Sequence, residues 1–122
     1  MANITFEWVT NQRTPIDADV SITMVKAGKD REQIAFRFRN NSYLKITNNL
    51  YVVYAVHGSR IYFTTSDVKK GFRLSFEREK FETGSFKSKP STKTDMSRFI
   101  GDYDLIYDRE LLLHYVDMGK KK

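Results

Sequence analysis

The chain has 122 residues, a formal net charge of +6, 40% apolar residues and 14% aromatics. That length predicts one domain with a core that needs no staples, and the aromatic supply excludes global disorder. The absence of cysteine excludes disulfide scaffolds, thiolate zinc sites and cysteine nucleophiles.

The N-terminus, MANITFEWVTNQR, carries neither a basic leader nor a long apolar stretch, so no secretory signal is read there. Ile4, Phe6 and Trp8 alternate with Thr5 and Glu7, the period of a half-buried strand. A polar loop around Pro15 leads into a predicted hairpin. In it Val20, Ile22 and Met24 alternate with Ser21 and Thr23, a turn lies near Ala27–Asp30, and a return strand runs from Glu32 to Arg39. Asn40-Asn41 breaks that strand, because asparagine tolerates left-handed backbone.

SYLKIT forms a short segment that ends at Asn48-Asn49. Leu50 to Val56 follows as a strand whose continuous apolarity predicts burial on both faces. At seven residues this run falls far short of the roughly 20 needed to span a bilayer, so no membrane partner is expected and a cytoplasmic location is read. His57-Gly58-Ser59 turns into the strand RIYFTT. SDVKKG predicts one helical turn capped by Ser66 and stopped by Gly71. FRLSFE is the clearest strand, with Phe72, Leu74 and Phe76 inward and Arg73, Ser75 and Glu77 outward.

Residues 78–94 hold Lys80, Lys87, Lys89 and Lys93 among few large apolar residues, and read as a flexible basic loop. A short helix is expected over Asp95–Ile100, stopped by Gly101. YDLIYDRELLLHYVDM predicts a hairpin, with a helix over Arg109–Met118 as the competing reading. Residues 120–122 form a basic tail expected to be disordered. The sum is one mainly β domain over 1–119, with little helix. It is a small antiparallel barrel or sandwich of about six to eight short strands with one or two helical turns.

Charge is uneven along this chain. Asp67 to Thr94 holds 8 Lys/Arg against 4 Asp/Glu, whereas Asp95 to Lys122 holds 5 against 6. Alternation places Arg37, Arg39, Arg60, Tyr62 and Arg73 opposite the phenylalanines, with Lys45 and Tyr43 joining from the intervening segment. Lys80, Lys87 and Lys89 stand on the basic loop. Guanidinium groups engage phosphates through a planar fork and tyrosine rings stack on bases. The expected function is therefore non-enzymatic binding of nucleic acid, single-stranded DNA or RNA preferred. The sites are Arg37, Arg39, Lys45, Arg60, Tyr62, Arg73, Lys80, Lys87 and Lys89.

The bland alternative is a solvated strand face, with Glu32, Glu77 and Glu79 absorbing the charge. A second functional reading is a protein-interaction or regulatory module, homodimeric. Tyr51, Tyr54, Tyr62, Tyr103, Tyr107, Tyr115 and Trp8 exceed what a core this size needs, and the acidic C-terminal hairpin can dock on a basic surface of a second copy.

Catalytic patterns are weak. His57 sits at a turn and His114 among apolar residues, with no spacing that unites them. Glu77, Glu79 and Lys80 with Asp67 suggest a metal-dependent nuclease only through a combination common in charged chains. Asp102, Asp104 and Asp108 lack the spacing and central glycine of a calcium loop. No enzyme, no metal and no cofactor are expected.

Overall fold

The computed structural model describes residues 18–26, 32–77, 80–89 and 96–122, and only the backbone of 77, 80–82 and 96. The expected N-terminal strand and the Ala27–Asp30 turn lie outside the described residues, as do residues 90–94 of the expected basic loop.

Ten strands form among the described residues: β1 (Val20–Lys26), β2 (Glu32–Phe38), β3 (Tyr51–His57), β4 (Arg60–Thr65), β5 (Phe72–Arg73), β6 (Ser75–Glu77), β7 (Lys80–Ser88), β8 (Gly101–Tyr103), β9 (Ile106–Asp108) and β10 (Leu113–Asp117). They build two antiparallel sheets. Sheet A has the order β6-β7-β2-β1-β8 and sheet B the order β5-β3-β4-β10-β9. The molecule is a sandwich and not a closed barrel, because each sheet keeps two edges. Among the described residues helix is confined to two 3-10 turns, Ser42–Lys45 and Met96–Phe99.

The period-2 patterns explain the pairing. Val20, Ile22 and Met24 stand opposite Phe38, Phe36 and Ile34 across the β1–β2 ladder, so one side of that pair is wholly apolar. In sheet B, Ile61 and Phe63 of β4 align with Val116 and His114 of β10. The two apolar faces interdigitate through rings. Phe36 meets Tyr54 at 4.9 Å, Phe63 at 5.9 Å and Phe86 at 4.7 Å, while Phe38 lies edge-on to Phe63 at 5.2 Å. Tyr103 is fully buried and its hydroxyl donates to the Phe99 carbonyl at 2.6 Å. Burial, with Asp102 nearby, pushes that phenol up to about 12.

Several expectations need correction. FRLSFE is not one strand: β5 belongs to sheet B and β6 to sheet A, and buried Leu74 marks the crossing. Alternation survives a crossing of this kind, which is why the sequence pattern hides it. Residues 80–88, read as loop, form β7. Its inward positions are Gly84, Phe86 and Ser88, so small residues replaced the apolar signal where β2 packs closely. The 66–71 segment is a turn and not a helix. Asp67, not Ser66, caps it, with its carboxylate accepting from the N–H groups of Lys69 at 3.1 Å and Lys70 at 2.9 Å. Leu50–Val56 is not buried on both faces, since Ala55 and Val56 are exposed and Val53 only half-buried. The expected hairpin at the C-terminal end is present as β9–β10. Asn40 and Asn41 both adopt left-handed backbone at the break after β2.

Gly71 closes the 66–71 turn, and a Cβ there would lie 2.9 Å from the Cβ atoms of Ser66 and Tyr51 and 3.0 Å from the Asp67 carbonyl oxygen. Gly71→Ala is expected to cost about 1–3 kcal/mol, as overpacking does. An unchanged denaturation midpoint in urea would refute this.

Candidate nucleic-acid interface

The nine anticipated residues do not share one face. Sheet A presents Arg37, Lys87 and Lys89 outward. Arg37 lies across from Ser85 and Lys87 across from Ala35 in the β2–β7 ladder, and Lys89 follows two residues on; all three are exposed. Arg39 joins this side just past β2. Its Nε donates to Ser21 Oγ at 2.9 Å, and Ser21 Oγ donates in turn to Asp102 Oδ1 at 2.7 Å. Ser21 is buried, so this chain of bonds satisfies a polar group that burial would otherwise penalise. Arg39 is therefore partly committed to structure.

Arg60, Tyr62 and Arg73 sit on the outer face of sheet B, on the other side of the sandwich. The Arg60 guanidinium lies 4.3 Å from the centroid of the Tyr115 ring and reaches Asp108 Oδ2 at 3.4 Å. Its bond to the Tyr62 hydroxyl, at 3.3 Å, and the nearby Tyr115 and Asp108 hold it charged above its already high ordinary value. Arg60 is consequently less available to a phosphate than Arg37 or Lys87. Lys45 is exposed on the first 3-10 turn, close enough to His114 to act on its charge. Lys80 opens β7, and its side chain lies outside the described residues.

One arrangement brings basic residues of both sheets together. Where the chain crosses from β5 to β6, a cleft of about 460 Å³ opens, lined by Phe72, Arg73, Ser75, Ser85, Phe86 and Lys87. The Phe72 and Phe86 rings stack at 4.9 Å, 16° from parallel, and form its apolar wall. Lys87 and Arg73 stand on opposite sides, with two serines between them and Arg37 beside Ser85. Among the described residues no carboxylate pairs with Arg37, Arg73, Lys87 or Lys89. Sequence reading named the cations here but missed the cleft, because the sheet-to-sheet crossing inside FRLSFE leaves no mark on alternation.

The three aspartates Asp102, Asp104 and Asp108 have separate partners as well. Asp102 accepts from Ser21, Asp104 pairs with the Lys122 ammonium at 2.9 Å, and Asp108 pairs with Arg60. The Lys122 N–H also donates to the Asp102 carbonyl at 2.9 Å, so the last residue lies against β8. His57 and His114 fall on opposite faces of sheet B, at the levels of Arg60 and buried Phe63. Among the described residues no three His, Asp or Glu side chains group to hold a metal, and no helix is long and apolar enough to cross a membrane.

His114 packs against Tyr107 with ring centroids 4.9 Å apart and planes tilted by 47°, and burial, aided by the Lys45 charge, lowers its pKa below 6.5. The native state thus resists a proton that the unfolded chain accepts. Stability should be whole above pH 6.5 and fall as pH drops below it toward the native value. Thermal melts at pH 7.5 and pH 5.5 check this: His114→Gln should remove part of the acid-side loss, and an identical loss in the variant refutes the assignment.

No family model, curated protein or solved structure matches this chain.

Proposed function

We propose that this protein is a non-enzymatic nucleic-acid-binding module with a preference for single strands. The observation that carries this reading is the row of exposed cations Arg37, Lys87 and Lys89, which pair with no carboxylate among the described residues, beside an aromatic-walled cleft. Phosphates are held by the cations and the serine hydroxyls of the cleft. An unpaired base enters between Arg73 and Lys87 and rests against Phe72, a contact that a paired base inside a duplex cannot make. The site is smaller than the surface anticipated from sequence: Arg60, Tyr62 and Lys45 lie elsewhere.

Fluorescence anisotropy with labelled single-stranded DNA, single-stranded RNA and duplex, at about 50 and 200 mM salt, tests it. The expected result is saturable binding to single strands that weakens with salt, is poorer for duplex, and is strongly reduced in Arg37→Ala/Lys87→Ala/Lys89→Ala. No saturable binding by wild type at the lower salt, or equal binding by the triple variant, overturns the proposal.

A further inference from the structure

We propose that the outer face of sheet B is the interface of a homodimer whose two-fold axis runs along β4. This surface is separate from the cation row on sheet A and shares only Arg73 with the cleft. Its centre is apolar: Val53 and Ala55 of β3, Tyr62 of β4, Leu113 and Tyr115 of β10, and Ile106 of β9 all point outward at adjoining ladder positions. Among the described residues nothing covers it. The Leu50–Val56 run is composed for burial on both faces, yet the fold buries only one. Aliphatic side chains with tyrosine and arginine, and almost no lysine or glutamate, are the composition of an interface core.

Charge placement selects a second copy and its orientation. Exposed Arg73 stands on one edge strand, β5, at the level of Tyr51. Asp108 and Asp117 stand at the opposite side, on β9 and β10. β4 is the middle strand of the five. A two-fold axis along β4 lays β5 of one copy over β9 of the other and keeps each level along the strands. Arg73 then meets the acidic side of its partner two residues along the strand direction from Asp108, twice by symmetry. Edge-to-edge pairing is disfavoured, because among the described residues the four outermost strands have only two or three residues each.

The chain lacks cysteine, which makes a direct test possible. Tyr62→Cys places one thiol per chain on the proposed axis, and Thr23→Cys places one on the exposed outer side of sheet A. A short bis-maleimide should join two copies of the Tyr62→Cys chain efficiently and should leave the Thr23→Cys chain single. Sedimentation velocity on the unmodified chain at tens of micromolar should show a dimer. Ala55→Arg, at an exposed position in the middle of the patch, should weaken it at least tenfold with an unchanged circular dichroism spectrum. A wild-type monomer at that concentration, equal cross-linking from both cysteines, or an unaffected Ala55→Arg dimer overturns the proposal. Ala55→Arg leaves Arg37, Lys87 and Lys89 intact, so its nucleic-acid binding separates failure of this inference from failure of the binding function.

Discussion

Phe36→Ala should destabilise the domain by about 3–5 kcal/mol, the range for truncating a fully buried phenylalanine. Phe36 has no exposed surface and is the ring through which the sheets are joined. It touches Tyr54 and Phe63 of sheet B and Phe86 of its own sheet, with centroids 4.7–5.9 Å apart. The cavity left behind has walls on both sheets, and β2 and β7 cannot collapse into it without breaking the ladder that pairs Phe36 with Phe86. Domains of this size hold only about 5–15 kcal/mol in all, so the variant should melt some 10–20 °C lower, or fail to fold at 37 °C. Thr23→Ala, at an exposed position on β1, is the control and should shift the midpoint by less than about 0.5 kcal/mol. A loss below about 1 kcal/mol in Phe36→Ala would mean that the sheets are not packed through this ring.

The second large effect is on ligand binding. If Arg37, Lys87 and Lys89 each neutralise one phosphate of a single strand, they contribute about −2 to the slope of log affinity against log salt. That share alone weakens binding about 20-fold between 50 and 200 mM salt. Removing all three should flatten the slope by about 2 units. Exposed charge contacts are worth roughly 0.5–1 kcal/mol each, so the triple variant should also lose roughly 10- to 150-fold in affinity at the lower salt. A variant that loses affinity but keeps the wild-type slope would show that these side chains act through shape and not through charge. Asp102→Ala should behave differently. It removes the carboxylate at the end of the Arg39–Ser21 chain of bonds and takes away the acceptor of the Ser21 hydroxyl. It should therefore strengthen binding modestly by charge, read in the same anisotropy titration, while destabilising the β1–β8 edge.

The relation between sequence and structure is visible in particular segments. Val20–Met24 and Ile34–Phe38 declare a hairpin with one apolar face, because side chains alternate with period 2 whatever the strand's neighbours are. The β9–β10 hairpin and the asparagine break after β2 were legible for the same reason: backbone preference and alternation are local. Composition likewise excluded disulfides and named the cations, and the alternating patterns announced a mainly β chain.

What the sequence could not determine is which strand lies in which sheet. FRLSFE keeps its alternation while passing from sheet B to sheet A, and β7 conceals a strand behind glycine and serine because its neighbour sits close. Sheet membership comes from hydrogen bonds between residues far apart in the chain, and only the assembled core selects among them. That choice put Arg37 and Lys87 on one outer face and Arg60 and Tyr62 on the other, set Arg73 across a cleft from Lys87, and left β3 with an apolar side facing out. The side chains were readable one strand at a time; their neighbours were decided by the tertiary structure, since proximity across a sandwich is set by pairing and packing and not by spacing along the chain.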